Sequence, residues 1–219
     1  MGQTIIQQNN DVRAYAWFRT NGSGATGTLT SAGANTIILS PCPAGINSTF
    51  VTDAGSGRIS GGTGTAEAVV FTSYTAGTNA CTVGFTTLNA HSGSWQVATA
   101  TAGTQEAVTV LSTSRRFVRM PAGTYNMYAP VRITGTGFYI EGDGMQATAV
   151  VTATTDSSNV FEFIAPSLGQ LNGLSNMGIF GPGGTVPTTK AGGAAIKLTN
   201  QAYFTGSNLY VYAMPNAVN

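Results

Sequence analysis

The chain has 219 residues, of which only 8% are charged, 42% are apolar and 29 are glycine, and its formal net charge is +1. Disorder needs low hydrophobicity with high net charge, a membrane-spanning helix needs about 18 successive apolar residues, and nucleic-acid binding needs a basic stripe. The chain has none of these, its one basic cluster being Arg115, Arg116 and Arg119. Solubility therefore rests on Thr, Ser, Asn and Gly, residues that suit strands and turns and weaken long helices. The N-terminus lacks the basic flank and apolar run of a secretory signal, and no other targeting device is visible.

Residues 1–20, rich in Gln and Asn with Tyr15, Trp17 and Phe18 close together, read as an N-terminal arm or first strand. From 21 to 100, short apolar runs at 36–39, 49–51, 68–72, 81–85 and 95–97 alternate with glycine turns, the beat of a sandwich or open barrel. Gly55-Ser56-Gly57 and Gly61-Gly62-Thr63-Gly64 are expected to supply positive-φ turn positions. Cys42 and Cys81 could close one loop here or remain as buried free thiols. The lone His91 has no second imidazole with which to build a zinc site.

Residues 104–111 are the best helical candidate, with Ala107, Val108 and Leu111 on one apolar face. Two or three turns are marginal alone, so this helix needs a surface such as the open end of a coiled stack of strands. Strand-like bursts then recur at 131–133, 139–145, 160–164, 177–180, 195–198 and 209–212, at uneven intervals broken by Gly and Asn, as in a solenoid.

The helix, the turn Pro121-Ala122-Gly123-Thr124-Tyr125 and the sequence Ile140-Glu141-Gly142-Asp143-Gly144-Met145 together resemble the opening of pectate-lyase-like β-helices. Bacteriophage tailspikes and related surface-polysaccharide-binding proteins use this solenoid. The resemblance covers residues 104–219, and over the first hundred it extends only to composition and order. It implies an all-β chain: a β-sandwich-like anchoring module, then a short capping helix and the start of a right-handed parallel β-helix over 101–219. It also implies a homotrimer, contacts with other virion tail proteins, a host surface polysaccharide as receptor, and location in a virion tail assembled in the host cytoplasm. No cofactor, nucleic acid or membrane insertion is expected. Alternatives are the non-catalytic front part of a polysaccharide lyase or glycoside hydrolase, and a cellular adhesin. An end at residue 219 would expose strand edges, so a continuing chain or partner chains are expected to close the stack.

Glycosidic cleavage needs two carboxyl groups about 5–9.5 Å apart. Glu141 and Asp143 share a strand face, but their glycine-bearing turn favours a structural role. Glu162 alternates with Phe161 and Phe163, so it faces outward, as a solvated residue or as part of a sugar-binding face. Asp156 and Asn159 bracket a turn, and Asp53 and Glu67 show no convergent partner. Gly22-Ser23-Gly24-Ala25-Thr26-Gly27 matches a dinucleotide fingerprint by chance, since no helix follows. Asn21-Gly22-Ser23 and Asn47-Ser48-Thr49 match glycosylation sequons but read as turns. Tyr203, Phe204, Tyr210 and Tyr212 are the most suggestive aromatics. Leu209 and Val211 take the core side, which leaves Tyr210 and Tyr212 outward as a subunit contact, the favoured reading, or as a carbohydrate platform.

Overall fold

The computed structural model describes residues 10–20, 25–26, 29, 33–112, 116–169, 171–182 and 191–218. The fingerprint-like glycines, the sequon at Asn21, Arg115 and the first part of the expected arm lie outside the described residues. Two hydrophobic cores organise the rest, one built from residues between Trp17 and Val97 and one from Val12, Tyr15 and residues between Ala107 and Ile196.

The first core lies under β1 (Phe18–Thr20), β2 (Ala25–Thr26), β3 (Ala34–Leu39), β4 (Ser56–Gly61), β5 (Glu67–Ala76), β6 (Cys81–Thr86) and β7 (Trp95–Thr99). These strands follow one antiparallel path, β1-β7-β4-β5-β6-β3-β2. The module is thus a single curled sheet and not two separate sheets. β5 pairs with β4 through its first half and with β6 through its second, with a register shift between Phe71 and Ser73. Such an irregularity bends a strand and lets one sheet wrap a core.

Residues 49–51 are not a strand but part of helix α1 (Ser48–Thr52). Asn47 caps that helix by accepting the Phe50 amide at 2.9 Å, so the sequon asparagine serves as a helix start. Phe50 is fully buried, and its ring lies where a Cβ on Gly55 would be, 2.2 Å away. Gly55 therefore serves close packing, whereas Gly61 and Gly62, at φ 77° and 65°, do supply the positive-φ turn between β4 and β5. Glu67 fixes the loop after β6: it accepts the amides of Leu88 at 2.7 Å and Asn89 at 2.9 Å, and meets His91 Nε2 at 3.1 Å. Cys42 and Cys81 are joined by a disulfide across a Cα separation of 5.1 Å.

The second body starts with α2 (Thr104–Leu111), the extent read from the sequence. It is buried on nearly every side, because it lies between the first sheet module and the first strands that follow. Those strands are β8 (Phe117–Met120), β9 (Gly123–Met127), β10 (Val131–Thr134), β11 (Tyr139–Gly142), β12 (Thr148–Thr152), β13 (Phe161–Gly169), β14 (Asn172–Phe180), β15 (Ala194–Gln201), β16 (Phe204–Tyr212) and β17 (Asn216–Val218). All their pairings are parallel and form three ladders. The first is β8, β11 and the leading halves of β14 and β16. The second is β9, β12 and the trailing halves of β14 and β16. The third is β10, β13, β15 and β17.

The chain visits the ladders in the same order on every pass. The short intervals between sequence bursts are therefore steps between ladders: one pass runs from Met177 to its partner Leu209. β14 and β16 turn the corner between two ladders without ending, at Asn176 and Asn208, whose φ values are 58° and 51°. Asparagine tolerates this left-handed region better than other non-glycine residues. Its side chain also ties the passes together, Asn208 donating to Asn176 at 2.8 Å and Asn176 to Glu141 at 3.0 Å.

The first pass has an edge that needs cover. Gln105 supplies part of it, accepting the Arg132 amide at 2.6 Å and donating to the Arg132 carbonyl at 3.0 Å, as a neighbouring strand would. Asn10 accepts the Arg119 amide, and Ala100 that of Tyr128, both at 2.8 Å. Between the two cores, the fully buried Glu106 accepts from Trp17 Nε1 at 2.8 Å and from Thr101 at 3.2 Å. Burial pushes its carboxyl up from the ordinary value of 4.5, against these hydrogen bonds.

Two predictions follow from these contacts. Protein unfolded without reductant should show no titratable thiol, and replacing both cysteines with serine should cost about 2–4 kcal/mol in chemical denaturation. Burial raises the Glu106 carboxyl above its unfolded value, so its contribution is intact below the ordinary value of 4.5 and declines as pH rises. Glu106→Gln should therefore melt at a higher temperature than the parent at neutral pH, with the gap closing in acid; a constant gap would refute the assignment.

Candidate functional site

Alternation along a strand decides what each ladder shows to solvent. On the second ladder, Tyr125, Val150 and Ile179 face the core, and Leu209 and Val211 pack against it. The residues between them form two outward rows, Thr124–Ala149–Gly178–Tyr210 and Asn126–Val151–Phe180–Tyr212. The Tyr210 and Tyr212 rings are nearly parallel, 8° apart with centroids 6.2 Å apart, and the Phe180 ring lies 5.8 Å from Tyr210 at 57°. Phe180 folds back over Gly178, where a Cβ would lie 2.6 Å from its ring. Phe180, Tyr210, Met145 and Gln146 line an open hollow of about 350 Å³. Tyr210 is 47% exposed.

Tyr203 is exposed ahead of β16 but does not line the hollow. Phe204 turns inward, edge-on to Phe163 at 5.0 Å. Phe180, Met145 and Gln146 were not singled out from the sequence. The signal was available in the interval of one pass, which sets Phe180 beside Tyr212.

Glu162 is on the outward side of the third ladder, yet it is buried rather than solvated. It accepts from Arg132 Nε at 2.8 Å and from Asn159 at 2.7 Å, and Lys197 is its partner on the next strand. Asn159 also accepts the Ala194 amide at 2.9 Å, so it joins two passes rather than only making a turn. Asp156 accepts the Ser158 amide at 2.9 Å, as expected of a turn former. Asp53 accepts from Thr134 at 2.9 Å, and burial pushes its carboxyl up.

Glu141 and Asp143 do not converge on open space. Glu141 accepts from Asn176, while Asp143 meets Arg119 at 2.9 Å and accepts the Ala122 amide at 2.9 Å. The Arg119 hydrogen bond holds the Asp143 carboxyl below its usual range. Asp11 and Arg13 pair beside them at 2.6 Å, and these four charges line a second hollow of about 470 Å³ with Asn10, Pro121 and Ala122. Arg116 is also engaged, donating to the Thr136 carbonyl at 2.7 Å. Among the described residues, no three His, Cys, Asp or Glu side chains are grouped to hold a metal ion.

No protein-family model matches the chain, and no curated protein sequence does. Among solved structures, the chain is similar to the catalytic domain of GH87 alpha-1,3-glucanase in complex with nigerose, at 11% identity and a TM-score of 0.32. This match covers 90% of the chain and 55% of that domain. A variant of that catalytic domain in complex with tetrasaccharides matches at 10% identity and the same TM-score, over 90% of the chain and 55% of the domain. The chain thus spans about half the length of these domains.

Glu162 has the environment of a structural ion pair. Replacing Glu162 with Ala should cost about 1.5–3 kcal/mol in denaturant titration, the range for a hydrogen bond to a charged group. Near-neutral stability would show that Arg132 finds other partners.

Proposed function

We propose that the chain is a structural and receptor-binding part of a phage tail, in which the sheet module attaches to the virion and the coiled body recognises a host surface glycan. In this proposal the second body is a right-handed parallel β-helix capped by α2. Three parallel ladders visited in constant order support this reading, and the hand follows the strong general preference of parallel crossovers. The disulfide suits a particle that works outside the cell.

The observation that carries glycan recognition is the pair of nearly parallel tyrosine rings beside Phe180, with Tyr210 and Phe180 lining an open hollow. Flat, rigid rings match the apolar faces of pyranose sugars, while their hydroxyl groups and Gln146 can reach sugar hydroxyls. A concave surface favours a small ligand over the flatter contact of a neighbouring subunit. The proposed assembly is a homotrimer with other tail proteins as partners, and the acids described above are assigned no catalytic role.

Affinity electrophoresis in gels containing host surface polysaccharide tests this reading, run beside light scattering. The parent should be retarded and Tyr210→Ala should lose most of that retardation, with both at about three times 22.4 kDa. If Tyr210→Ala instead changes the particle mass and leaves retardation intact, the tyrosine face is a subunit contact and the glycan assignment fails.

A further inference from the structure

The outward faces of the three ladders differ in charge. The first carries Arg119 and Glu141 in one row, and the third carries Arg132, Glu162 and Lys197 in another. The second ladder, which bears the aromatic hollow, has no charged residue in either outward row: Thr124, Ala149, Gly178 and Tyr210 in one, Asn126, Val151, Phe180 and Tyr212 in the other. Asp143, nearby in the chain, is paired with Arg119 on the first ladder's side.

Resting on the glycan reading above, we infer that the ligand of this face is an uncharged glycan, engaged over a short stretch of one or two pyranose rings. A uronate, sulfate or phosphate group set against Phe180 and Tyr210 would lose water and meet no guanidinium or ammonium in the outward rows. Desolvating an anion without a partner is strongly unfavourable. An uncharged sugar has no such cost, because its hydroxyl groups can be met by neutral donors and acceptors, and Asn126 and Gln146 supply amides of that kind. The size of the hollow, about 350 Å³, is near the lower end for small-ligand sites. Gly178 leaves room for the Phe180 ring to fold back, and the small Ala149 keeps the neighbouring ground low, so a chain can lie across the strands with one or two of its sugars against the rings.

The test is affinity electrophoresis of the full chain against uncharged probes, dextran and galactomannan, and acidic probes, polygalacturonate and hyaluronan, at low and high salt. The expected result is retardation by an uncharged probe that high salt leaves unchanged, and that Phe180→Ala weakens about tenfold. Thr124→Lys, which puts a cation at an exposed position of the same face, should add salt-sensitive retardation by an acidic probe that the parent lacks. Parent protein that prefers an acidic probe and loses it with Phe180→Ala overturns the inference while sparing the glycan reading. Failure to bind any probe, with host polysaccharide also negative, overturns both.

Discussion

The whole second body depends on one constraint, that each pass of the chain must return every side chain to the row it occupied before. Parallel in-register pairing fixes neighbouring strands about 4.8 Å apart, so an error of one residue would turn a core side chain to solvent. The buried rows show how this is met. Val118, Ile140 and Leu174 lie side by side, as do Ile133 and Phe163, and all five are fully or almost fully buried. Loops may differ in length between passes, but the corners may not drift. Asn176 and Asn208 hold one corner, each taking the left-handed conformation and each bonding to the pass beneath.

A stack built this way leaves polar backbone at its first edge, and that fact explains the position of the sheet module. Gln105, Asn10 and Ala100 meet backbone groups of the first pass that would otherwise need water. Val12 and Tyr15 complete the second core although they precede the first module's strands in sequence. The chain therefore begins its second core, builds the first, and returns. Glu106 and Trp17 meet at the crossing, which makes a buried carboxyl one joint between the two cores, beside the Asp53–Thr134 and Ala100–Tyr128 contacts.

Local chemistry was readable in the sequence wherever one residue type had few alternatives. The helix at 104–111, the outward turn of Tyr210 and the Gly61-Gly62 turn came from propensity and alternation alone. What failed was competition between local and distant forces. Thr49, Phe50 and Val51 favour a strand by type, but Asn47 caps a helix there and a buried place for Phe50 decides the outcome. Glu162 read as solvated because alternation reports which way a side chain points, not what covers it. Arg132 and Asn159, at quite different distances along the chain, supply that cover. The aromatic hollow was half visible, since Phe180 joins Tyr212 only once the length of a pass is known.

The placing of charge in the second body has its reason in the same geometry. In a parallel stack, a charged residue repeated at one row position would face its own kind about 4.8 Å away, and like charges that close repel. The rows of this body avoid that in two ways. Where charge occurs it alternates in sign, Arg119 beside Glu141 on the first ladder and Arg132, Glu162 and Lys197 in succession on the third. Elsewhere the rows use uncharged residues, which can repeat from pass to pass without repulsion, as Ser175 and Ser207 do. An uncharged ladder is thus easily built in such a body, and aromatic rings set into it give the face on which the proposed glycan reading rests.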